Sequence, residues 1–202
     1  MSEKNGGNLH DSATGPVADR AALRHAAIVA RESMTDEEHA RASRSIEDHL
    51  AALLFDRPPS VLGFCWPVRN EFDCRPLVGR LLSAGWRACL PVAQSPAAAM
   101  PFREWAPDAP MTADRYGIPI PAEGECLIPG IVLLPLVAFD CQGYRLGYGG
   151  GHFDRTLAAL APRPIAIGIG FERTRIDSIR PESHDMPLDA VVTEIGVKLY
   201  PR

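Results

Sequence analysis

The chain has 202 residues, 46% of them hydrophobic and 23% charged, with a net charge of −4 at pH 7. This composition is that of a globular domain with a sizeable core, and the negative balance excludes a sequence-independent nucleic-acid binder, which needs many basic contacts to phosphates. The longest apolar stretch, residues 131–139, is far shorter than the ~20 residues of a membrane helix, and residues 1–19 lack the apolar segment of a secretory signal.

The cysteines exclude two further classes of protein. Five are present, an odd number, and none forms a C-x-x-C pair. This spacing argues against a structural zinc site and against a disulfide framework. We therefore predict small core residues in a reducing cytoplasm.

The N-terminal part of the chain predicts a polar leader followed by two helices. Residues 1–18 are rich in Gly, Ser, Asn and Asp and lack hydrophobic periodicity, which predicts a disordered leader. Helical periodicity predicts a helix over residues 20–31 and a second helix that ends near Phe55. Thr35 and Glu38 match a capping box at the start of the second helix. Residues 19–202 are predicted to form a single domain.

From residue 61 onward, short apolar runs alternate with helical segments. The predicted strands are 61–66, 86–92, 131–139, 164–171 and 190–193, with an antiparallel strand at 100–105, a turn at 116–119 and helices at 76–85 and 153–160. Continuous apolar runs are typical of strands that are buried on both faces. The alternation predicts a three-layer α/β/α fold with a mostly parallel, Rossmann-like sheet and helices on both faces.

A glycine-rich loop at residues 139–155 carries the strongest functional signal. Its five glycines lie between a buried strand and a helix: Gly143, Gly147, Gly149, Gly150 and Gly151. At the carboxyl end of such a strand, glycine N–H groups and a helix N-terminus suit a phosphate, and Arg145 adds positive charge. A Walker A motif is absent, and His152 replaces the third glycine of a dinucleotide fingerprint, which argues against a Rossmann dehydrogenase.

The sequence LPLVAFD at residues 134–140, followed by GYRLGYGGG at 143–151 and by Asp154-Arg155, resembles the signature of the 5-formyltetrahydrofolate cyclo-ligase family. The resemblance spans residues 20–194 and includes a basic pair near the N-terminus and a motif at residues 181–189. It implies ATP-dependent closure of 5-formyltetrahydrofolate to 5,10-methenyltetrahydrofolate, with release of ADP and phosphate. It also implies small-molecule partners only, folate and ATP, and a monomer or weak homodimer that binds neither nucleic acid nor membrane.

The same resemblance assigns the site residues. ATP is assigned to Arg20, Arg24, Arg145, Gly147, Gly149, Gly150, Gly151, His152 and Phe153. The folate is assigned to Arg24, Trp66, Glu71, Tyr148, Gly149, Gly150, Gly151 and His152. Mg²⁺ is assigned to Asp154 and Asp189, and the catalytic roles fall to Arg145 and Asp154.

Simpler structural roles remain open for several of these residues. Arg20 and Arg24 share one helix face at i and i+4, which is also the pattern of a solvated face. Asp154 fits a first-turn acid, and Trp66 fits the core as well as it fits a pterin stack. Two departures from the family pattern, His152-Phe153 in place of two tyrosines and Ile120 in place of a glutamate, leave two alternatives. One is a divergent paralog acting on another pterin or formylated amine, and the other is a binding protein without turnover.

Overall fold

Eight strands form one sheet in the computed structural model, which describes residues 19–201. The predicted leader at residues 1–18 lies outside the described residues. The helices are α1 (Arg20–Glu32), α2 (Asp36–Phe55), α3 (Arg75–Ser83) and α4 (His152–Ala159). The strands are β1 (Val61–Gly63), β2 (Arg87–Pro91), β3 (Phe102–Trp105), β4 (Met111–Ala113), β5 (Pro119–Pro121), β6 (Cys126–Leu127), β7 (Ile131–Pro135), β8 (Ala138–Phe139), β9 (Arg145–Leu146), β10 (Ile165–Ile169), β11 (Ala190–Thr193) and β12 (Gly196–Leu199).

The strand order of the main sheet is β12-β11-β10-β7-β1-β2-β3-β6. The five central strands, from β11 to β2, run parallel, whereas β12 and β3 pair antiparallel with their neighbours. Two small antiparallel pairs, β4–β5 and β8–β9, lie outside this sheet. The predicted mostly parallel sheet is therefore confirmed.

Alternate residues of β7 supply the cores on the two faces of the sheet. Ile131 and Leu133 pack with α2 and α3, whereas Val132 and Leu134 pack with Leu157 of α4. This alternation places helices on both faces, as predicted, because successive side chains of a strand point in opposite directions. Within residues 19–201, none of these helices has the length and hydrophobicity needed to cross a membrane.

The predicted strand at residues 131–139 is in fact two strands of different sheets. Leu136 donates its N–H to Ile169 of the main sheet, and the next residue, Val137, donates to Leu146. The chain thus changes partners at this point and forms the β8–β9 pair. Both segments are buried, so a continuous apolar run does not reveal the change. Five further short strands are not predicted by the sequence pattern, namely β4, β5, β6, β9 and β12.

The capping box at the start of α2 provides a first stability prediction. The Glu38 N–H donates to the Thr35 hydroxyl (3.2 Å), and the Thr35 N–H donates to the Glu38 carboxylate (3.0 Å). Thr35→Ala should lower the free energy of unfolding by about 1 kcal/mol, since a helix N–H loses its acceptor. Urea unfolding measures this change, with Thr35→Ser as the control that keeps the hydroxyl. Equal loss in both variants would contradict the capping role.

Candidate active site

The candidate site lies at the carboxyl-terminal edge of the parallel strands, where the loop after β1 approaches the glycine loop that precedes α4. Helix α1 covers this edge. Its Ala27 and Ile28 belong to the same apolar cluster as Val137, Ala138 and Leu146 of the β8–β9 region. Ligands bind at this edge in open α/β sheets, so the predicted position of the site is consistent with the fold.

A buried polar network joins the two loops. The Tyr148 hydroxyl donates to Glu71 Oε1 (2.6 Å) and accepts from Arg31 Nη2 (2.7 Å). The Val68 N–H donates to the second carboxylate oxygen, Glu71 Oε2 (3.0 Å). Arg31 is only 1% exposed, whereas Tyr148 is 48% exposed and therefore reaches solvent from the network. Glu71 is thus a buried carboxylate with defined donors, not a surface acid.

Burial raises the pKa values of two members of this network, Glu71 and Tyr148. It raises the pKa of Glu71, and hydrogen bonds from Tyr148 and Val68 together with the positive charge of Arg31 only partly oppose that shift. Burial and the neighbouring Glu71 likewise raise the pKa of the Tyr148 hydroxyl. The site therefore holds a carboxyl group that ionises less readily than an exposed glutamate.

A second prediction follows from the raised pKa of Glu71. A carboxyl with a higher pKa in the folded state stabilises the fold at low pH, and this contribution is lost as pH rises through the folded pKa. The stability of the wild type relative to Glu71→Gln should therefore fall between pH 4 and pH 7. Urea unfolding at several pH values tests this, and a wild type that gains on the variant as pH rises would contradict it.

The glycine loop presents backbone donors next to a cation. Within residues 19–201, the N–H groups of Gly149, Gly150 and Gly151 donate no hydrogen bond to the protein. Arg24 Nε donates to the Gly147 carbonyl (3.0 Å), and the Arg24 guanidinium lies 3.7 Å from the point where a Cβ at Gly149 would sit. Free N–H groups, a helix N-terminus and a guanidinium form a suitable environment for an anion.

His152 and Phe153, at the start of α4, face different surroundings. The His152 ring lies over Gly150, where a Cβ would meet it at 2.6 Å, and its Nε2 is 3.0 Å from the Tyr116 hydroxyl. Burial and the nearby Arg155 lower the pKa of His152, which favours the neutral ring at pH 7. Phe153 packs against the apolar core of its sheet face.

Arg145 and Asp154 form a buried ion pair. Arg145 Nη2 donates to Asp154 Oδ1 (2.9 Å), and the Arg145 side chain is only 4% exposed. Arg145 also donates to the Met186 carbonyl (2.8 Å), while the Met186 N–H donates to Asp154 Oδ1 (3.0 Å). Burial lowers the pKa of Arg145, and Asp154 opposes the shift. The pair joins the glycine loop to residue 186, so the Arg145 guanidinium points into the protein and not toward an open phosphate site.

Arg20 and Asp189 also have protein partners. Arg20 makes a bidentate pair with Asp185 (2.7 and 3.1 Å), and this hydrogen bonding raises the pKa of Arg20. Asp189 lies at the amino-terminal edge of the sheet, where its Oδ2 accepts from the Ala166 N–H (2.7 Å). Arg20 thus lies one helical turn before Arg24 in α1 and pairs with Asp185, whereas Asp189 lies at the edge of the sheet opposite the glycine loop.

The carboxylates form no preformed metal cage. Residues 19–201 contain no group of three or more His, Cys, Asp or Glu side chains that could hold a metal ion. Asp154 is 17% exposed beside the glycine loop and fits Mg²⁺ that arrives with phosphates, since such an ion needs only one or two carboxylates. The position of Asp189 does not fit that role.

Trp66, Ile120 and the cysteines, which the sequence analysis singled out, lie in different environments. Trp66 is partly buried against the core, and the Arg75 guanidinium lies 4.3 Å from its ring centroid. Ile120 is buried in β5. All five cysteines are free. Cys74 and Cys89 are buried, as predicted for core residues, whereas Cys126 and Cys141 are exposed.

Sequence reasoning missed two residues of this site, Arg31 and Tyr116. Arg31 follows Arg24 by seven positions, which places both on one face of α1. That spacing could have indicated that Arg31 lies on the same side of the helix as the predicted ATP-binding Arg24. Tyr116 lies in the turn between β4 and β5, and the sequence offers no sign that this turn reaches α4.

Sequence comparisons identify relatives over most of the chain. A model of the 5-formyltetrahydrofolate cyclo-ligase family matches residues 16–194. A protein from Escherichia coli named 5-formyltetrahydrofolate cyclo-ligase is 30% identical over 174 residues, which cover 81% of this chain and 93% of the relative. A protein of the same name from Haemophilus influenzae is 28% identical over 165 residues, which cover 78% and 88% respectively.

Solved structures show the same architecture. The NMR structure of 5,10-methenyltetrahydrofolate synthetase from Aquifex aeolicus superposes with a TM-score of 0.78 at 26% identity, and the match covers 91% of this chain and 93% of that one. A second such synthetase, from Mycoplasma pneumoniae, gives a TM-score of 0.74 at 24% identity and covers 88% and 99%. The second match supports the fold alone.

Proposed function

This chain belongs to the 5-formyltetrahydrofolate cyclo-ligase family, and from that premise we propose that it closes 5-formyltetrahydrofolate to 5,10-methenyltetrahydrofolate at the expense of ATP. Tyr148 carries the proposal, because this one residue of the glycine loop donates to Glu71 of the neighbouring loop (2.6 Å). The proposed anion site and the buried Glu71 carboxylate are thus adjacent and joined through Tyr148. A reaction between a nucleotide and a folate requires two neighbouring binding sites of this kind.

We assign the phosphates of ATP to the glycine loop. The N–H groups of Gly149, Gly150 and Gly151 are available to phosphate oxygens. Arg24 lies next to Gly149 and supplies a permanent positive charge. Arg145 serves this site indirectly, because its guanidinium is occupied by Asp154 and Met186.

We assign the folate to the region beside the Glu71 carboxylate, next to Tyr148. A pterin ring carries several N–H donors, and the Glu71 carboxylate is held ready to accept from them by Val68 and Tyr148. Tyr148 is half exposed, so its ring offers a surface for stacking next to that carboxylate. The Arg75 guanidinium lies over the ring of Trp66. Trp66 is a second candidate for contact with the pterin.

The reaction needs little covalent participation from the protein. The formyl oxygen attacks the γ-phosphorus, the bond to ADP breaks, and the formyl carbon becomes electrophilic. N10 then attacks this carbon and loses its proton, and the oxygen leaves with phosphate. Phosphoryl transfer depends chiefly on alignment and charge neutralisation, which the glycine N–H groups and Arg24 supply in this site.

Mg²⁺ would be held by Asp154 together with the phosphates, and it would supply charge neutralisation at the transferred group. The Asp154 carboxylate already balances the charge of Arg145. Its position at the start of α4 would keep a bound metal ion next to the glycine loop.

We further propose a reducing cytoplasm as the site of action, because all five cysteines are free.

A turnover assay tests the function. Purified protein, 5-formyltetrahydrofolate, ATP and Mg²⁺ should produce the near-ultraviolet absorbance of the methenyl product, with one ADP for each ring closed. Arg24→Met should raise the KM for ATP about 10-fold, the value of one charge-assisted hydrogen bond. Arg41→Met, on the exposed face of α2, is the matched control and should leave the KM for ATP unchanged. ATP binding without methenyl formation would contradict the proposal and favour a different pterin or formylated amine.

A further inference from the structure

Arg31 binds three segments that border the proposed site. Its Nε donates to the Arg69 carbonyl (3.0 Å), its Nη1 to the Leu136 carbonyl (3.0 Å) and its Nη2 to the Tyr148 hydroxyl (2.7 Å). These acceptors belong to the loop after β1, to the residue that follows β7 and to the glycine loop. One planar guanidinium therefore fixes the relative positions of all three segments.

The loop after β1 needs this support because its backbone is unusual. Arg69 and Asn70 have φ values of 50° and 60°, in the left-handed region, which asparagine tolerates but arginine rarely adopts. Both residues are bound to α1, since Arg31 donates to the Arg69 carbonyl and the Asn70 amide donates to the Arg31 carbonyl (3.2 Å). Glu71 is the next residue, so the position of its backbone depends on these contacts.

Arg31 also determines where the Tyr148 proton points. A guanidinium has donors but no acceptor, so the Tyr148 oxygen must accept in its bond to Arg31. The single hydroxyl proton is then available for the Glu71 carboxylate, which accepts it at 2.6 Å. Arg31 Nη2 lies 3.7 Å from Glu71 Oε1, which is too far for a direct hydrogen bond. The hydrogen-bonded connection between Arg31 and the carboxylate therefore passes through the Tyr148 hydroxyl.

We propose that Arg31 is a positioning residue for ring closure, acting through Tyr148 and through the loop after β1 to hold the Glu71 carboxylate where the folate binds. This inference rests on the function proposed above. Arg31 is only 1% exposed, so we assign it no direct contact with the folate. Its effect belongs to folate binding and not to ATP binding, because two of its acceptors, the Arg69 carbonyl and the Tyr148 hydroxyl, adjoin Glu71. None of its bonds involves the N–H groups of Gly149, Gly150 or Gly151.

A double-mutant cycle tests the route through Tyr148. Arg31→Lys keeps the charge but loses the fork of donors, and Tyr148→Phe keeps the ring but loses the hydroxyl. Each change should raise the KM for 5-formyltetrahydrofolate about 10-fold, and the double variant should raise it little further, because both changes break one network. The KM for ATP should stay within about 2-fold. Arg80 is exposed and pairs with the partly exposed Glu47, so Arg80→Lys is the control expected to behave as wild type.

Other results would overturn the inference. A folded Arg31→Lys protein with lowered thermal stability but an unchanged KM for the folate would show a purely structural role. Effects that multiply in the double variant would show that Arg31 does not act through Tyr148. Should the wild type bind 5-formyltetrahydrofolate without closing it, the same cycle is measured on the Kd by calorimetry. A wild type that closes the ring while the cycle fails overturns this inference alone, whereas one that neither binds nor closes overturns the proposed function and this inference with it.

Discussion

Glu71→Gln should lower kcat/KM for 5-formyltetrahydrofolate about 100-fold, close to the value of a buried hydrogen bond to a charged group. The carboxylate accepts from the Val68 N–H and from the Tyr148 hydroxyl. A glutamine has only one oxygen, so its amide nitrogen must face one of these donors. The substitution also leaves Arg31 without a nearby negative charge.

The comparison variant for this change is Glu47→Gln, which removes a partly exposed carboxylate that pairs with Arg80. It should leave the kinetic constants at wild-type values, because surface ion pairs contribute little. The KM for ATP should be unchanged in both variants. A Glu71→Gln enzyme with a kcat/KM within about 3-fold of wild type would exclude Glu71 from the folate site.

Asp154→Ala should lower the free energy of unfolding by about 3–5 kcal/mol, because it leaves the buried Arg145 without its counter-ion. The Arg145 side chain is 4% exposed, and Asp154 Oδ1 also accepts from Met186. For a chain of this length such a loss corresponds to a fall in Tm of roughly 6–20 °C. Thermal unfolding followed by circular dichroism measures it.

Two further variants separate the ion pair from the proposed metal role of Asp154. Adding Arg145→Met to Asp154→Ala removes the unpaired charge and should restore part of the lost stability. Asp154→Asn keeps an oxygen for Arg145 and Met186, so it should fold better than the alanine variant and still bind MgATP more weakly than wild type. A fully stable Asp154→Ala protein would contradict the structural importance of the pair.

Much of the fold could be predicted from local patterns. Thr35 and Glu38 marked the start of α2, and continuous apolar runs marked the central parallel strands. The glycines between β9 and α4 predicted the proposed anion site, because few other roles need so many glycines in one loop. Each of these signals lies within a short stretch of sequence.

The parts that could not be predicted depend on contacts between distant segments. The change of sheet at Leu136 requires knowledge of Ile169 and Leu146. Arg31 looked like one more helical arginine, and its burial depends on acceptors at residues 69, 136 and 148. A residue directly before a parallel strand lies at its amino end, so the predicted strand at residues 190–193 already placed Asp189 away from the carboxyl-terminal edge.

The proposed reaction depends on transfer of the formyl oxygen to phosphate, and isotope labelling tests this transfer most directly. The wild-type enzyme would be given ATP and 5-formyltetrahydrofolate that carries ¹⁸O in the formyl group, and the inorganic phosphate would be analysed by mass spectrometry. The proposed reaction predicts one ¹⁸O atom in each phosphate released. Methenyl formation with unlabelled phosphate would contradict it, because the oxygen would then have left by another route.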